Sequence, residues 1–337
     1  MGAGAGGRGP VRFIARRVLF YVLTAWVALT VNFFVPRLLP GNAVEDIMSK
    51  YPNLPPSAYK SLQIMLGLNH PGSLWHQYWQ YLVDVGHLNF GYDFMEFPAK
   101  VSTLLAQTLP WTLVLVGTAT VIAFFVGTGL GIVAGWRSGS WLDRALPSLT
   151  FLQALPYFFL ALMLLYLLAF KFTIFPQTGP FAADLYHIGW NWPFIKSAIG
   201  HAILPAASIV ITNVAGWMLQ MRNVMITTVG EDYVLAAQAK GLRTRRVVLT
   251  YAARNALLPQ LSGFANALGF VVSGAIVMEI VFSYQGIGQL LVNAVSSNDY
   301  PLMQAIFLVI VFAVLLANLL VDLVYVLVDP RARARTA

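Results

Sequence analysis

Apolar residues in this chain come in long runs, separated by polar stretches of very unequal length. The first run covers residues 18–35 and ends at Pro36, and five more cover 111–135, 145–170, 202–221, 261–282 and 302–328. About 20 mainly apolar residues carry a helix across a hydrocarbon layer roughly 30 Å thick, and in lipid the backbone must satisfy its own polar groups. The pattern therefore predicts an all-α integral membrane protein with six transmembrane helices. The first run is longer than a signal-peptide core and lacks a small-residue cleavage site at its end, so it is expected to persist as a helix.

The intervals differ in charge as well as length. Residues 1–17, the turn at 136–144, the segment 222–260 and the tail 329–337 hold Arg8, Arg12, Arg16, Arg17, Arg137, Arg144, Arg222, Lys240, Arg243, Arg245, Arg246, Arg254, Arg331, Arg333 and Arg335. The much longer intervals 36–110, 171–200 and 283–301 hold Arg37, Lys50, Lys60, Lys100, Lys171 and Lys196. Basic residues collect on the cytoplasmic side of a membrane protein. The first set is thus read as cytoplasmic, with both termini inside, and 36–110 as a long outer loop between helices 1 and 2.

Composition agrees: the chain is 58% hydrophobic and 10% charged, with a mean hydropathy of +0.70. Soluble domains carry about 25% charge. The net charge of +8 is accounted for by basic residues beside apolar runs, and nucleic acid is not an expected partner. There is no cysteine, and neither a phosphate-binding GxxxxGK[ST] loop nor HExxH nor GxSxG occurs. Gly2, Gly4 and Gly7 fit GxGxxG in form only, since no strand precedes them. His70, His76, His87, His187 and His201 lack ligand spacing. No catalytic residue, metal site or resident cofactor is expected.

Several features have two readings. Trp75, Tyr78, Trp79 and Tyr81 suit either sugar stacking or anchoring at the membrane interface. Gly127, Gly131 and Gly135 recur every four residues, either as a close-packing face or as scattered membrane glycines. Pro156 breaks the third run, marking the lining of a pathway or a structural kink. Glu279 and Asp322 are acids inside apolar runs, each serving a structural hydrogen bond or gating.

The segment 222–260 has marked helix ends. Gly230 interrupts the preceding run, Glu231 and Asp232 place negative charge at a helix start, and Lys240 followed by Gly241 closes it. Ala236, Ala237 and Ala239 supply small side chains between those ends, a shape suited to docking. The plainer alternative is a basic loop that only sets topology.

Asp232–Gly241, followed by Arg254–Pro259, resembles the cytoplasmic loop of ABC importer permeases with the spacing of the oligopeptide and dipeptide transport family. Leu39–Gly41, Leu66–Leu68, Gly139–Arg144, Val281–Gly286, Asp299–Pro301, Asn318–Asp322 and Asp329–Arg331 resemble that family's first permease subunit. The resemblance implies a bacterial or archaeal plasma-membrane importer. Its parts would be a second permease, two cytoplasmic ATPases that bind ATP and Mg, and an extracytoplasmic solute-binding protein. It assigns Asp232, Tyr233, Ala236, Ala237, Lys240 and Gly241 to ATPase coupling. Leu235 stands where the broader importer motif has Glu, so no ion pair can come from that position. Short peptides are the expected cargo, with cello-oligosaccharides or other sugar oligomers as the alternative and a secondary transporter as a distant one.

Overall fold

The computed structural model describes residues 8–38, 73–94, 96, 98–184, 189–271 and 276–328; the expectations for Leu39–Gly41, Leu66–Leu68 and the tail 329–337 lie outside them. The regular elements among the described residues are all helices, without strands, apart from one isolated antiparallel bridge between Tyr92 and Lys100. Helix α1 (Arg8–Leu38) runs past Pro36. Helix α2 (Leu74–Gly86) lies within the expected outer loop and starts at Ser73, whose hydroxyl accepts from the His76 amide.

Helix α3 (Val101–Trp136) begins ten residues before the expected span and passes through Pro110. Proline removes one amide donor. Packing outweighs that loss, because Val101 and Leu105 are buried against Ile287, Leu302 and Ile306. The segment 101–110 is therefore the start of the helix that continues as the second span.

The third expected span is divided. Helix α4 (Trp141–Ala154) ends before Pro156, whose extended backbone (ψ 130°) starts α5 (Tyr157–Leu164), followed by a π-helical stretch, Leu165–Lys171. Helix α6 (Trp192–Val229) is 38 residues long rather than the expected 20. The Asn191 side chain accepts from the Phe194 amide at 3.0 Å, Pro193 suits a first helical turn, and the helix runs on through Pro205, which is buried, to Gly230.

Helix α7 (Asp232–Ala239) follows, then a π-helical stretch, Val247–Ala253, that runs directly into α8 (Arg254–Gly269). Short helices α9 (Ile276–Val281) and α10 (Ile287–Ser296) precede α11 (Tyr300–Val328). The expected fifth span is thus two described helices, and the expected outer segment 283–301 is itself largely helical. Among the described residues, four helices are long and apolar enough to cross a membrane: Arg16–Val35, Val101–Trp136, Trp192–Val229 and Tyr300–Leu320.

Helices α3 and α6 form the central pair and run parallel. A Cβ on Gly127 would lie 2.6 Å from Trp217 Cβ, one on Gly131 2.6 Å from Met221 Cβ, and one on Gly135 2.5 Å from Met225 Cβ. The four-residue glycine repeat is a close-packing face. Phe124 of α3 stacks on Phe264 of α8 at 4.1 Å, with Trp217 of α6 edge-on to Phe124 at 5.2 Å. Helix α1 is fastened to α11 by a reciprocal pair: Asn32 Nδ2 donates to Gln304 O at 3.0 Å and Gln304 Nε2 donates to Asn32 O at 2.9 Å.

Candidate functional site

Helix α7 is joined to the central pair by its own sequence. Gly230 ends α6, Glu231 takes an extended conformation, and its carbonyl accepts from the Val234 amide at 2.9 Å, opening the next helix. At the other end Gly241 adopts φ +70°, the left-handed region that glycine enters without strain. There the Gly241 amide donates to Gln238 O at 2.9 Å.

Of α7's eight residues, only Val234 and Ala237 are buried. They sit among Met221 and Met225 of α6, Val247, Ala252 and Ala253 of the π-helical stretch, and Ala256 of α8. The other side is bare: Tyr233 is 40% and Leu235 48% exposed, and Asp232, Ala236, Ala239, Lys240 and Gly241 are exposed too. Tyr233, Ala236 and Lys240 are spaced three and four apart and share one face. Ala237 departs from the expected small outward surface, because at this spacing it falls beneath Val234's turn and packs inward.

The base of α6 is braced beside this site. Arg222 Nε lies 2.7 Å from Asp143 Oδ1, and Asp143 Oδ2 accepts from the Gly139 amide at 2.8 Å. The Arg222 guanidinium, with the Gly139 amide, holds the Asp143 carboxyl below its usual range. This ties the 136–144 turn, where Gly139 has φ +84°, to the helix that leads into α7.

The other expected residues are not brought to this site. Pro156 is exposed, at the break between α4 and α5. Glu279 is fully buried: its Oε1 accepts from Thr112 Oγ1 at 2.6 Å, and its Oε2 from the amides of Gly288 at 2.7 Å and Gln289 at 3.1 Å. It holds the N-terminus of α10. The side chain of Asp322 lies outside the described residues. Of the aromatic cluster, Tyr78 and Tyr81 face α1, where Tyr78 Oη lies 2.7 Å from Thr30 Oγ1 and Tyr81 accepts from Asn32 at 3.1 Å, while Trp75 and Trp79 are exposed.

Sequence reasoning missed two features. One is the cap on α10, whose signal was Glu279 followed at 286 and 288 by two glycines that admit its carboxylate. The other is an open groove on α6, lined in part by Asn213, Gln220 and Asn223. Its signal was amide side chains at helical spacing within an apolar run.

Comparison with known proteins adds independent information. Residues 127–334 match the family described as binding-protein-dependent transport system inner membrane component. A putative peptide permease protein of Brucella suis is 33% identical over 327 residues, covering 96% of this chain and 99% of that protein. The dipeptide transport system permease protein DppB of Escherichia coli is 31% identical over 342 residues, at 96% and 99% coverage. The oligopeptide transport system permease protein AppB of Bacillus subtilis is 29% identical over 323 residues, at 95% and 98%.

Proposed function

From the premise that this chain belongs to the family of binding-protein-dependent transport system inner membrane components, we propose that it is one permease subunit of an ATP-driven importer of short peptides. Its relatives are permease components rather than enzymes, and the chain is a multi-pass membrane protein. In this reading it pairs with a second permease to enclose the path. An extracytoplasmic binding protein delivers cargo, and two cytoplasmic ATPases hold ATP and Mg. Six spans with both termini inside follow from the charge asymmetry, counting the divided third and fifth spans as crossings.

One observation carries the coupling role: α7 is anchored by Val234 and Ala237 while Tyr233, Ala236 and Lys240 stand bare. A helix fixed to its own subunit on one side and uncovered on the other is built to receive a partner. Closure of the ATPases on ATP would displace α7. Gly230 and Glu231 pass that displacement to α6, the π-helical stretch passes it to α8, and the interlocked glycines carry it to α3. Such rigid-body motion needs binding energy that differs between the two states. Pro156 allows the third span to bend during this motion. Glu279, held by three donors, contributes to gating through the helix that it caps, and Asp322 is kept as a second gating candidate.

Peptide cargo is favoured over sugar oligomers by the names of the three relatives above, a peptide, a dipeptide and an oligopeptide permease. The test is reconstitution of the whole complex with its binding protein. Short peptides should stimulate ATP hydrolysis and cello-oligosaccharides should not. Stimulation by the sugars alone would sink the peptide reading.

A further inference from the structure

The groove on α6 has a chemistry of its own. Its cavity measures about 500 Å³ and is lined by Thr212, Asn213, Gly216, Trp217, Gln220 and Asn223 among others, with no charged side chain. Asn213 and Gln220, inside the span, are exposed, as is Asn223 at its cytoplasmic end. An unpaired amide against hydrocarbon is costly, so polar side chains in spans face protein or a water-filled path. The face is therefore not a lipid face.

Hydrogen-bonding capacity remains open there. Asn213 Nδ2 donates to Ile209 O at 2.7 Å, leaving its oxygen to accept, and Asn223 Oδ1 accepts from Arg222 Nη1 at 3.2 Å, leaving its NH₂ to donate. Gln220 lies beside α8, its Nε2 3.9 Å from where a Cβ on Gly263 would stand. Amide side chains carry both a donor and an acceptor, as does each peptide group. From Thr212 to Asn223 the helix rises about 16 Å, the length of roughly five extended residues. An uncharged row of this kind fits main chain and is indifferent to the charge of the side chains it passes.

A further polar group stands close to the groove. Gln260 of α8 is fully buried, and neither its Oε1 nor its Nε2 has a partner. It lies one turn from Gly263, where α8 meets Trp217 and Gln220. Thr128 Oγ1 of α3 is likewise buried and unpartnered, one turn beyond the Phe124 that stacks on Phe264. Because α8 runs antiparallel to α3, Thr128 and Gln260 lie at one level. Buried polar groups are nearly always paired, so an orphaned amide at a helix interface points to a partner acquired in another arrangement of the helices.

We infer that the α6 groove is the site for the main chain of the transported peptide on its way through the membrane, with Asn213 and Gln220 inside the span and Asn223 at its cytoplasmic end bonding its peptide groups, and Gln260 joining them when α6 and α8 part. The inference rests on the peptide-importer reading above. Because α6 leads into α7 through Gly230, the site lies on the element that the ATPases would move.

The test uses the full importer with its binding protein in liposomes, with dialanine and trialanine as cargo. Loss of one ligand hydrogen bond corresponds to roughly tenfold in affinity, so Asn213→Leu and Gln220→Leu should each lower uptake by about that factor, with Gln220→Asn recovering much of it. Ile203→Ala, nine residues before Thr212 on α6 and outside the groove's lining, should leave uptake unchanged. The chain has no cysteine, so Gln220→Cys and Asn213→Cys, with cysteine-free partner subunits, can be probed by a membrane-impermeant thiosulfonate. Both should react during turnover and be protected by trialanine, while Ile203→Cys gains no protection from trialanine. Unreactive groove positions throughout the cycle mean a face sealed against the second permease, and the inference fails even where the leucine variants do not assemble. A wild-type complex that carries neither peptide fails the importer reading itself. One that carries both, with indifferent groove variants, fails this inference alone.

Discussion

Thr112 of α3 and Glu279 of α9 form a buried relay: the threonine hydroxyl donates to Glu279 Oε1 at 2.6 Å and accepts the Ile287 amide at 2.9 Å. Together the two side chains satisfy three amides at the start of α10, those of residues 287, 288 and 289. Helix starts leave such donors unpaired, and a carboxylate there also meets the positive end of the helix dipole. Gly286 and Gly288 make room for the carboxylate, since a Cβ on either would lie within 3.0 Å of it.

Glu279→Ala should therefore destabilise the assembled protein by about 3 kcal/mol, the range for stranding buried donors of a charge-assisted bond. Glu279→Gln keeps an acceptor and should cost less. Thermal unfolding of the purified complex measures both, and an unchanged midpoint for Glu279→Ala would show that the cap contributes nothing.

The glycine face makes a sharper comparison. Gly131→Ala places a Cβ 2.6 Å from Met218 O and Met221 Cβ, so α3 and α6 must separate, at a cost of about 1–3 kcal/mol. Gly129, two residues away on the same helix, has nothing within 4 Å of its would-be Cβ. Gly129→Ala should be neutral or slightly stabilising. Equal effects of the two substitutions on thermal stability would contradict the interlocking described for this pair.

A pH effect is expected where α11 begins. Asp299, fully buried, accepts from the amides of Leu302 and Phe94, and Asp93 lies beside it. Burial, reinforced by Asp93, pushes the Asp299 carboxyl from about 3.8 up to about 7. Between those values the folded protein keeps a proton that the unfolded chain has released, so stability falls with rising pH. It is fully present below about pH 4 and lost as pH passes through about 7. Asp299→Asn should flatten the dependence of the unfolding midpoint between pH 5 and 8. A slope equal to wild type would place the titration elsewhere.

The long helices were legible in the sequence because apolar length is a local property: the runs 18–35, 111–135, 202–221 and 302–328 each lie within a described helix. Their ends were less so. Pro110 reads as a stop, yet the burial of Val101 and Leu105 against residues nearly two hundred positions away keeps α3 continuous. For α7, the caps at Glu231 and Gly241 were visible because capping is written in adjacent residues. Ala236 and Ala237 look identical in sequence, and only the presence of Met221 and Met225 beneath α7 separates the outward from the inward one.

That separation gives the coupling proposal its most discriminating test. Ala236→Arg adds bulk and charge to the bare face and touches nothing inside the subunit, so the protein should fold and assemble with normal thermal stability. If α7 receives the ATPase, peptide uptake should fall steeply while residual ATP hydrolysis loses its response to the loaded binding protein. Ala237→Arg forces a charge among Met221, Met225 and Val247, and should act through stability, lowering the unfolding midpoint together with transport. Gly241→Val lies between them. Nothing crowds the site within 4 Å, but φ +70° costs a β-branched residue about 1–2 kcal/mol, enough to loosen the end of α7 without unfolding the bundle. The proposal requires Ala236→Arg and Ala237→Arg to part company, one failing in coupling and the other in folding. Normal uptake by Ala236→Arg, in a complex whose ATPases remain bound, would show that the bare face of α7 is not where they dock.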